Sequence, residues 1–249
     1  MTEAVAHVKI CFEWGGEKVA EQHSVKVIAR IQSDFSTKFG VPRQSGLVDE
    51  LRARIVFEPE FRNADAVRGL EEFSHIWLIW QFSKAVREDW SPTVRPPRLG
   101  GNKRIGVFAT RAPYRPNALG LSSVRLERVE IHPELGPVLH VGGADLMDGT
   151  PIYDIKPYIA YADAHSDAMG GFVDSVERQV LSVDCSGELL SRVPVEKREA
   201  LLGVLAQDPR PSYQEDAQRV YGMAFAGLEV KFTVDGLRLT VCGIDPSDS

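Results

Sequence analysis

The residues best suited to chemistry lie in one basic stretch of an otherwise acidic chain. Residues 95–129 carry eight Lys or Arg side chains and a single acid, Glu127, which gives a net charge of +7, whereas the whole chain of 249 residues has a net charge of −6. Such a concentration predicts a local surface that binds anions rather than a protein that is basic throughout. The basic residues are Arg95, Arg98, Lys103, Arg104, Arg111, Arg115, Arg125 and Arg128.

Glycine and proline punctuate this basic stretch and indicate loops with a fixed path. Residues 95–129 contain four of each. Glycine allows close approaches that other residues forbid, whereas proline fixes the backbone. Between them, residues 105–109 form a short apolar segment, which we expect to be a strand. Rigid loops around a strand suit an anionic ligand, although composition alone leaves open an ordinary solvated loop at the border of a sheet.

Two further segments carry polar side chains beside turn residues. The loop at residues 39–48 places Arg43 and Gln44 between a proline and a glycine, and residues 145–149 read Asp-Leu-Met-Asp-Gly. Carboxylates there could bind hydroxyl or amino groups, and Arg111 could make paired hydrogen bonds to a carboxylate. The structural alternative for residues 145–149 is an ordinary Asp-Gly turn with a capping aspartate.

The composition gives no sign of a metal site or a membrane span. The chain has no apolar run of the ~18 residues that a spanning helix needs, and its N-terminus lacks the pattern of a secretory signal. The three cysteines are odd in number and far apart, and no C-x-x-C motif occurs, so neither a disulfide framework nor a zinc site is indicated. The simplest interpretation is a reduced, cytoplasmic protein without a structural metal.

Most of the predicted elements are short strands. Apolar and β-branched runs predict them at 5–12, 25–31, 51–58, 74–82, 121–131, 138–143 and 176–183. The run at 74–82 is expected to be buried on both faces, with Trp77 and Trp80 in the core. Asn63 predicts the N-cap of a short helix, and two helical segments follow at 187–192 and 195–206. Many short strands without alternating helices favour a barrel or a sandwich.

The common catalytic and nucleotide-binding motifs are absent. No G-x-G-x-x-G joins a strand to a helix, and the glycines near residue 100 lack the G-K-[ST] ending of a P-loop. Neither G-x-S-x-G nor H-E-x-x-H occurs. These absences exclude the templates of the doubly wound nucleotide-binding proteins, the α/β-hydrolases and the zincins.

Five long motifs nevertheless follow one another in the order of a known family. They are FGVPRQSGLV, ADAVRGLEEFSHIWLIWQF, TVRPPRLGGNKRIGVFATRAPYRPNALGLSSV, DLMDGTPIYDIKPY and LAQDPRPSY. The set resembles the TsaA/TrmO-like S-adenosylmethionine-dependent tRNA methyltransferases over roughly residues 25–240. The resemblance implies a mainly β fold, with a single β-barrel methyltransferase domain outside the Rossmann class and a small α+β C-terminal domain. We expect an N-terminal extension of unknown role at 1–22, the catalytic barrel at 23–165 and the C-terminal domain at 166–249.

The resemblance also implies an activity, partners and a cofactor site. The expected enzyme is a homodimer that uses S-adenosyl-L-methionine to methylate N6 of threonylcarbamoyladenosine at position 37, in the anticodon loop of tRNA. Many relatives have His-Gln where this chain has Ser83-Lys84, so backbone contacts are expected there. The residues implied for cofactor binding are Gln44, Ser45, Gly46, Ser83, Lys84, Arg111, Leu119, Asp145, Leu146, Met147 and Asp148.

Methyl transfer to a nitrogen whose lone pair is delocalised suggests candidates for a general base and for residues that position the acceptor. Asp148 is the candidate general base, and Tyr114 and Asn117 could position the acceptor base by stacking or hydrogen bonding. The alternative is a non-catalytic barrel that binds S-adenosylmethionine or RNA, and a third reading is methyl transfer to a different small molecule or RNA. Phosphates of tRNA are expected to contact Arg95, Arg98, Lys103, Arg104 and Arg115.

Overall fold

The chain begins with an antiparallel hairpin. The structure, a computed structural model, describes residues 6–13, 18–84, 89–96, 103–175, 179–211 and 216–247. Strands β1 (Ala6–Glu13) and β2 (Lys18–Val25) pair in a register that sets Ala6 opposite Val25. The second strand therefore continues past residue 22, and the run predicted as one strand at 25–31 is divided between this hairpin and the next strand.

Six antiparallel strands close into a barrel, which confirms the predicted fold class for the central part of the chain. The first three barrel strands are β3 (Ala29–Gln32), β4 (Arg52–Phe57) and β5 (His75–Gln81). A separate pair of short strands follows, β6 (Thr93–Val94) and β7 (Ile105–Gly106), and the barrel is completed by β8 (Leu119–His132), β9 (Gly136–Gly142) and β10 (Pro151–Pro157). The barrel order is β10-β3-β4-β9-β8-β5, whereas β6 pairs with β7. Closure leaves the barrel strands without a free edge.

Alternation along the strands fills the barrel interior. In β4, Ala53, Ile55 and Phe57 are buried while the residues between them are exposed or half-buried, as expected for a strand with one face on a core. β5 follows the same alternation, so its predicted burial on both faces is wrong. Its outer face is only partly covered. Trp77, which lies on that face, is half-buried and donates its indole N–H to Asp163 Oδ2 at 3.0 Å.

Two short segments differ from the sequence expectation in their local form. Residues 105–109 are not one strand, because after Ile105–Gly106 the backbone turns into a 3₁₀ helix at Val107–Ala109. Thr110 ends that helix, donating both its backbone N–H and its hydroxyl to the Val107 carbonyl. The cap predicted at Asn63 is confirmed, since its side chain accepts the Asp65 N–H, but the helix is a 3₁₀ turn at Ala64–Val67.

A small α+β unit forms the C-terminal part. It comprises β11 (Ser182–Asp184), the predicted helices, and strands β12 (Tyr221–Phe225), β13 (Leu228–Asp235) and β14 (Arg238–Pro246), in the sheet order β11-β14-β13-β12. After the short α1 (Ala160–Asp163) that follows the barrel, the helices here are α2 (Gly187–Ser191) and α3 (Arg198–Ala206). The strand predicted at 176–183 starts only at Ser182, and residues 176–178 lie outside the described part. Among the described helices, none is both long and apolar enough to cross a membrane.

The loop between β3 and β4 packs into the core of this C-terminal unit. Phe35, Val48 and Leu51 are buried together with residues of α3 and of the C-terminal sheet. The Phe35 ring meets that of Phe225 edge to face at 5.6 Å, and Lys197 pairs with Asp34 at 2.6 Å. The loop therefore has its apolar side fixed by the C-terminal unit, which leaves its polar side available for a site.

Candidate active site

A cavity of about 690 Å³ opens beside the ends of the barrel strands. Its volume lies within the range typical of small-molecule sites. Four separate segments of the chain build its walls: the loop at 38–44, residues 80–84 at the end of β5, residues 110–121 and residues from 145 to 150. Each segment contains a motif that the sequence singled out, so the fold brings together what lies about a hundred residues apart in the chain.

Most of the predicted cofactor and catalytic residues line this cavity. From the basic stretch, Arg115 joins them in the lining, although it was predicted as an RNA contact. The predicted cofactor and catalytic residues in the lining are Gln44, Ser83, Lys84, Arg111, Tyr114, Asn117, Leu119, Asp145 and Met147. The fold therefore places residues with three predicted roles on one surface.

Ser45, Gly46 and Leu146 are not lining residues, but their contacts hold the lining in place. The Gly46 N–H donates to the Gly143 carbonyl at 2.9 Å, and a side chain at Gly143 would come within 3.3 Å of the Gly46 backbone. The Ser45 backbone N–H donates to the Asp145 carboxylate. Leu146 is fully buried and its carbonyl accepts the Ser33 hydroxyl. These contacts fix the two loops against each other.

Asp148 lies outside the lining, and its side chain forms a hydrogen bond to the backbone. Its side chain is exposed, and its Oδ1 accepts the Ser33 N–H at 2.9 Å, while its own N–H donates to the Phe35 carbonyl at 2.8 Å. This is the capping role that an Asp-Gly turn predicts. The geometry therefore shows Asp148 as a turn residue outside the cavity wall, and its roles as a base and as a cofactor contact stay predictions without support from this geometry.

Asp145 is the carboxylate that faces the cavity. Burial raises the pKa of Asp145, while the Ser122 hydroxyl, which donates to Oδ1 at 2.6 Å, acts in the opposite direction together with the Ser45 N–H and the Arg111 charge. The Ser122 oxygen in turn accepts the Trp80 indole N–H at 3.0 Å. A chain of hydrogen bonds thus fixes the carboxylate from the barrel side.

Positive charge dominates the rest of the lining. Arg111 donates through Nη1 to Gln44 Oε1, which ties the basic stretch to the loop between β3 and β4. Among the described residues that line the cavity, Asp145 is the single acid. The cations are Lys38, Arg43, Lys84, Arg111 and Arg115. The cavity is therefore suited to a ligand that carries anionic groups and one group that a carboxylate can bind.

Asn117 presents an unused acceptor. Its Oδ1 is buried and has no hydrogen-bond partner among the described residues. Its backbone position is fixed, because the Leu119 N–H donates to the Asn117 carbonyl at 2.7 Å and the Phe82 N–H to the Ala118 carbonyl at 2.9 Å. A buried acceptor without a donor is costly. Its place in the cavity wall makes it available to a donor group on a ligand.

Comparison with known proteins agrees with this site and with the two-part fold. Residues 30–164 match the family described as the tRNA-methyltransferase O N-terminal domain, and residues 177–247 match the TrmO C-terminal domain. The chain belongs to this family. The resemblance deduced from the five motifs is thereby confirmed.

Individual relatives of this TrmO-family chain cover most of its length. The tRNA (adenine(37)-N6)-methyltransferase of Escherichia coli K12 is 40% identical over 88% of this chain and 96% of the relative. A Pseudomonas aeruginosa protein named as a putative S-adenosylmethionine-dependent methyltransferase is 43% identical over 84% of this chain and 91% of its own length. The crystal structure of TrmO from Pseudomonas aeruginosa superposes with a TM-score of 0.72 at 36% identity, covering 89% of this chain and 97% of that one.

The basic residues predicted to bind RNA divide into two groups in this TrmO-family structure. Arg115 lines the cavity and donates to the Thr110 carbonyl at 3.1 Å. Arg95, Lys103 and Arg104 are exposed beside the short strands β6 and β7. Arg98 lies outside the described residues. The described residues also hold no cluster of His, Cys, Asp and Glu that could bind a metal ion.

Sequence reasoning missed the support behind Asp145. Trp80 is buried as predicted, but it also forms part of the cavity wall and anchors Ser122. Ser122 is nearly inaccessible and sits among apolar positions of β8. A polar residue at an inward position of a strand was the available signal, because a buried hydroxyl needs a partner.

Proposed function

We propose that this chain transfers a methyl group from S-adenosylmethionine to N6 of adenosine 37 in tRNA, and that the acceptor is threonylcarbamoyladenosine. The names of its relatives support the reaction class. The observation that carries the proposal is the cavity wall of a TrmO-family chain, which combines several cations, one half-buried carboxylate and the Asn117 oxygen, which has no partner among the described residues.

The residues present fit S-adenosylmethionine. Arg111 can make paired hydrogen bonds to the methionyl carboxylate, and Asp145 can accept hydrogen bonds from the ribose hydroxyls or the amino group. Trp80 and Leu119 provide apolar wall for the remainder. The bound cofactor supplies a methyl group already activated on a sulfonium, so the protein mainly needs to orient the acceptor and exclude water.

Asn117 is our candidate for orienting the acceptor nitrogen. Its buried Oδ1 can accept the N6–H of the adenine, which fixes the direction of the nitrogen lone pair. The methyl group would replace the N6 proton, which Asn117 Oδ1 faces and which would leave to solvent at the mouth of the cavity. Tyr114 lies in the same wall, where its ring can hold the base.

The threonylcarbamoyl group adds a carboxylate to the acceptor base. This anion has partners available in Lys38, Arg43, Lys84 and Arg115, since the single acid among the described lining residues is already hydrogen-bonded. An unmodified adenosine would leave these cations without a base-borne anion to bind. The balance of charge in the cavity therefore favours the modified nucleotide as substrate.

The test is methyl incorporation from tritiated S-adenosylmethionine into tRNA from cells that have or lack the threonylcarbamoyl modification. Only modified tRNA should be labelled, and nucleoside analysis should find the label on the adenosine. The Asn117→Ala variant should lose about 10²-fold in kcat, as expected for loss of an orienting contact, with cofactor affinity unchanged. Equal labelling of both tRNAs would contradict threonylcarbamoyladenosine as the substrate. Cofactor binding without any labelling would favour a non-catalytic binding module.

The remaining expectations stay part of the proposal. We place the enzyme in the cytoplasm, where its tRNA substrate is found, and we retain the homodimer, which analytical ultracentrifugation can test. We also retain the division of the chain after residues 22 and 165. Arg95, Lys103 and Arg104 are proposed to contact phosphates around the anticodon loop, because all three are exposed. Replacing two of them should reduce the salt dependence of tRNA binding by about one unit of log–log slope per lost contact.

A further inference from the structure

Two exposed aromatic rings lie side by side near the cavity and have no role in the proposed chemistry. The side chains of Trp90 and Phe108 are 48% and 70% exposed. Their ring centroids lie 6.0 Å apart and their planes differ by 25°, so the two rings are stacked on each other while both remain accessible to solvent. We call this pair the aromatic platform. Large apolar side chains grouped at a surface often mark an interaction site.

The backbone holds the platform in a fixed relation to the cavity. Trp90 precedes β6 and Phe108 follows β7 in the chain, and these two strands pair with each other. The Val107 N–H also donates to the Pro92 carbonyl at 3.0 Å. The neighbouring Val107 side chain is buried. On the other side, the Ser91 N–H donates to the carbonyl of Tyr114, a lining residue of the cavity, at 3.2 Å. These hydrogen bonds therefore fix the position of the two rings relative to the cavity.

The two segments that carry the platform are rich in cations. The Arg115 guanidinium carbon lies 5.9 Å from the Phe108 ring centroid, and the same residue lines the cavity. The other cations of residues 89–96 and 103–115 are exposed, and they are Arg95, Lys103, Arg104 and Arg111. Within the described residues 89–96 and 103–115, the single acid is Asp89. Flat rings flanked by positive charge complement a ligand that has flat apolar faces and a negative backbone.

We propose that the aromatic platform stacks an unpaired base of the RNA next to the nucleotide that enters the cavity. This inference rests on the proposed function, from which it takes RNA as the partner. Single-stranded nucleotides offer the required chemistry, because every base has a stacking face and every linkage carries a phosphate. Arg115 joins the two positions, with its guanidinium over Phe108 and its side chain in the cavity wall.

The proposal can be tested with Trp90→Ala and Phe108→Ala in the full-length protein. Affinity is measured for an anticodon stem-loop RNA without cofactor, and each variant should bind about 5- to 150-fold more weakly, as expected for the loss of one stacked base. Affinity for S-adenosylmethionine should stay unchanged. The matched control is Tyr161→Ala, since Tyr161 is an aromatic residue that is 92% exposed and lies outside the cavity lining.

Two outcomes of the binding and sedimentation measurements would overturn the proposal. One is an unchanged affinity for the stem-loop RNA in both platform variants. The other is a lower sedimentation coefficient for the free variants, which would assign the rings to a contact between two copies of the chain. Because binding is measured without methyl transfer, failure of the enzymatic function would leave this test intact. Efficient methylation with an unchanged KM for tRNA in both variants would refute the platform alone.

Discussion

Replacement of Gly120 by alanine should damage the site through Trp80. The two residues face each other in the register of β5 and β8, and the indole ring occupies the space above the glycine. A methyl group at Gly120 would lie 2.3 Å from Trp80 Cε2 and 2.4 Å from Cζ2. Carbon atoms in contact are about 3.5–4.0 Å apart, so the ring has to move by more than ~1 Å. The indole N–H then loses Ser122.

The cost follows from these two effects. Overpacking a core by one methyl group costs about 1–3 kcal/mol, and a lost hydrogen bond costs about 0.5–1.5 kcal/mol. We therefore expect the free energy of unfolding to fall by about 2–4 kcal/mol, which corresponds to a Tm lower by about 5–15 °C for a chain of this size. Affinity for S-adenosylmethionine should fall about tenfold, because the displaced ring is cavity wall and because Ser122 supports Asp145.

Thermal denaturation and titration calorimetry with S-adenosylmethionine measure both effects. The matched control is Gly187→Ala, where a methyl group meets no atom within 4 Å. In a Trp80→Leu background, Gly120→Ala should cost much less, since the two residues act through one contact. A Gly120→Ala protein with the wild-type Tm and cofactor affinity would refute the reasoning, as would an equal cost of this change in both backgrounds.

Three further predictions concern the same wall. Asp145→Asn should weaken cofactor binding but stabilise the fold at neutral pH: burial raises the pKa of Asp145, so the stability linked to its protonation is present in acid and lost as pH rises through the raised pKa. Denaturation over a pH series should show this gain growing from acid to neutral pH. Arg111→Lys should raise the Kd for S-adenosylmethionine about tenfold in calorimetry, because lysine keeps the charge but not the paired hydrogen bonds. Lys197→Met, which removes the partner of Asp34, should raise that Kd with kcat at saturation nearly unchanged, whereas Lys231→Met, from an exposed ion pair, should leave both constants alone.

Local signals in the sequence were sufficient to predict an element whose conformation depends on its own residues alone. The alternation of Ala53, Ile55 and Phe57 predicts β4 without knowledge of its neighbours, and the structure buries all three. At residues 105–109 the apolar run was too short to distinguish a strand from a 3₁₀ turn. That choice depends on the hydrogen bond from the Val107 N–H to the carbonyl of Pro92, a residue in another segment of the chain.

The site was predictable in its residue types but not in its support. The motifs pointed to both Asp145 and Asp148, which are three positions apart in one turn. Ser33, from a distant segment, decides between them, since its N–H holds Asp148 away from the cavity while Ser122 holds Asp145 in it. The relay through Trp80 likewise depends on the pairing of β5 with β8. Such pairings join residues about forty positions apart and leave no periodic signal in either strand.

The loop between β3 and β4 explains how the C-terminal unit can influence a site whose wall its described residues do not line. Phe35 and Val48 anchor it in the C-terminal core, and Gln44, between them, faces the cavity and accepts from Arg111. Full burial of such a side chain contributes about 1.5–3 kcal/mol, roughly twice the ~0.5–1.5 kcal/mol of one hydrogen bond on the cavity side. The packing against the C-terminal unit therefore decides where this wall of the cavity stands. A substitution in that distant core can then change cofactor affinity without touching the cavity, because it acts on the position of the loop rather than on the chemistry of its side chains.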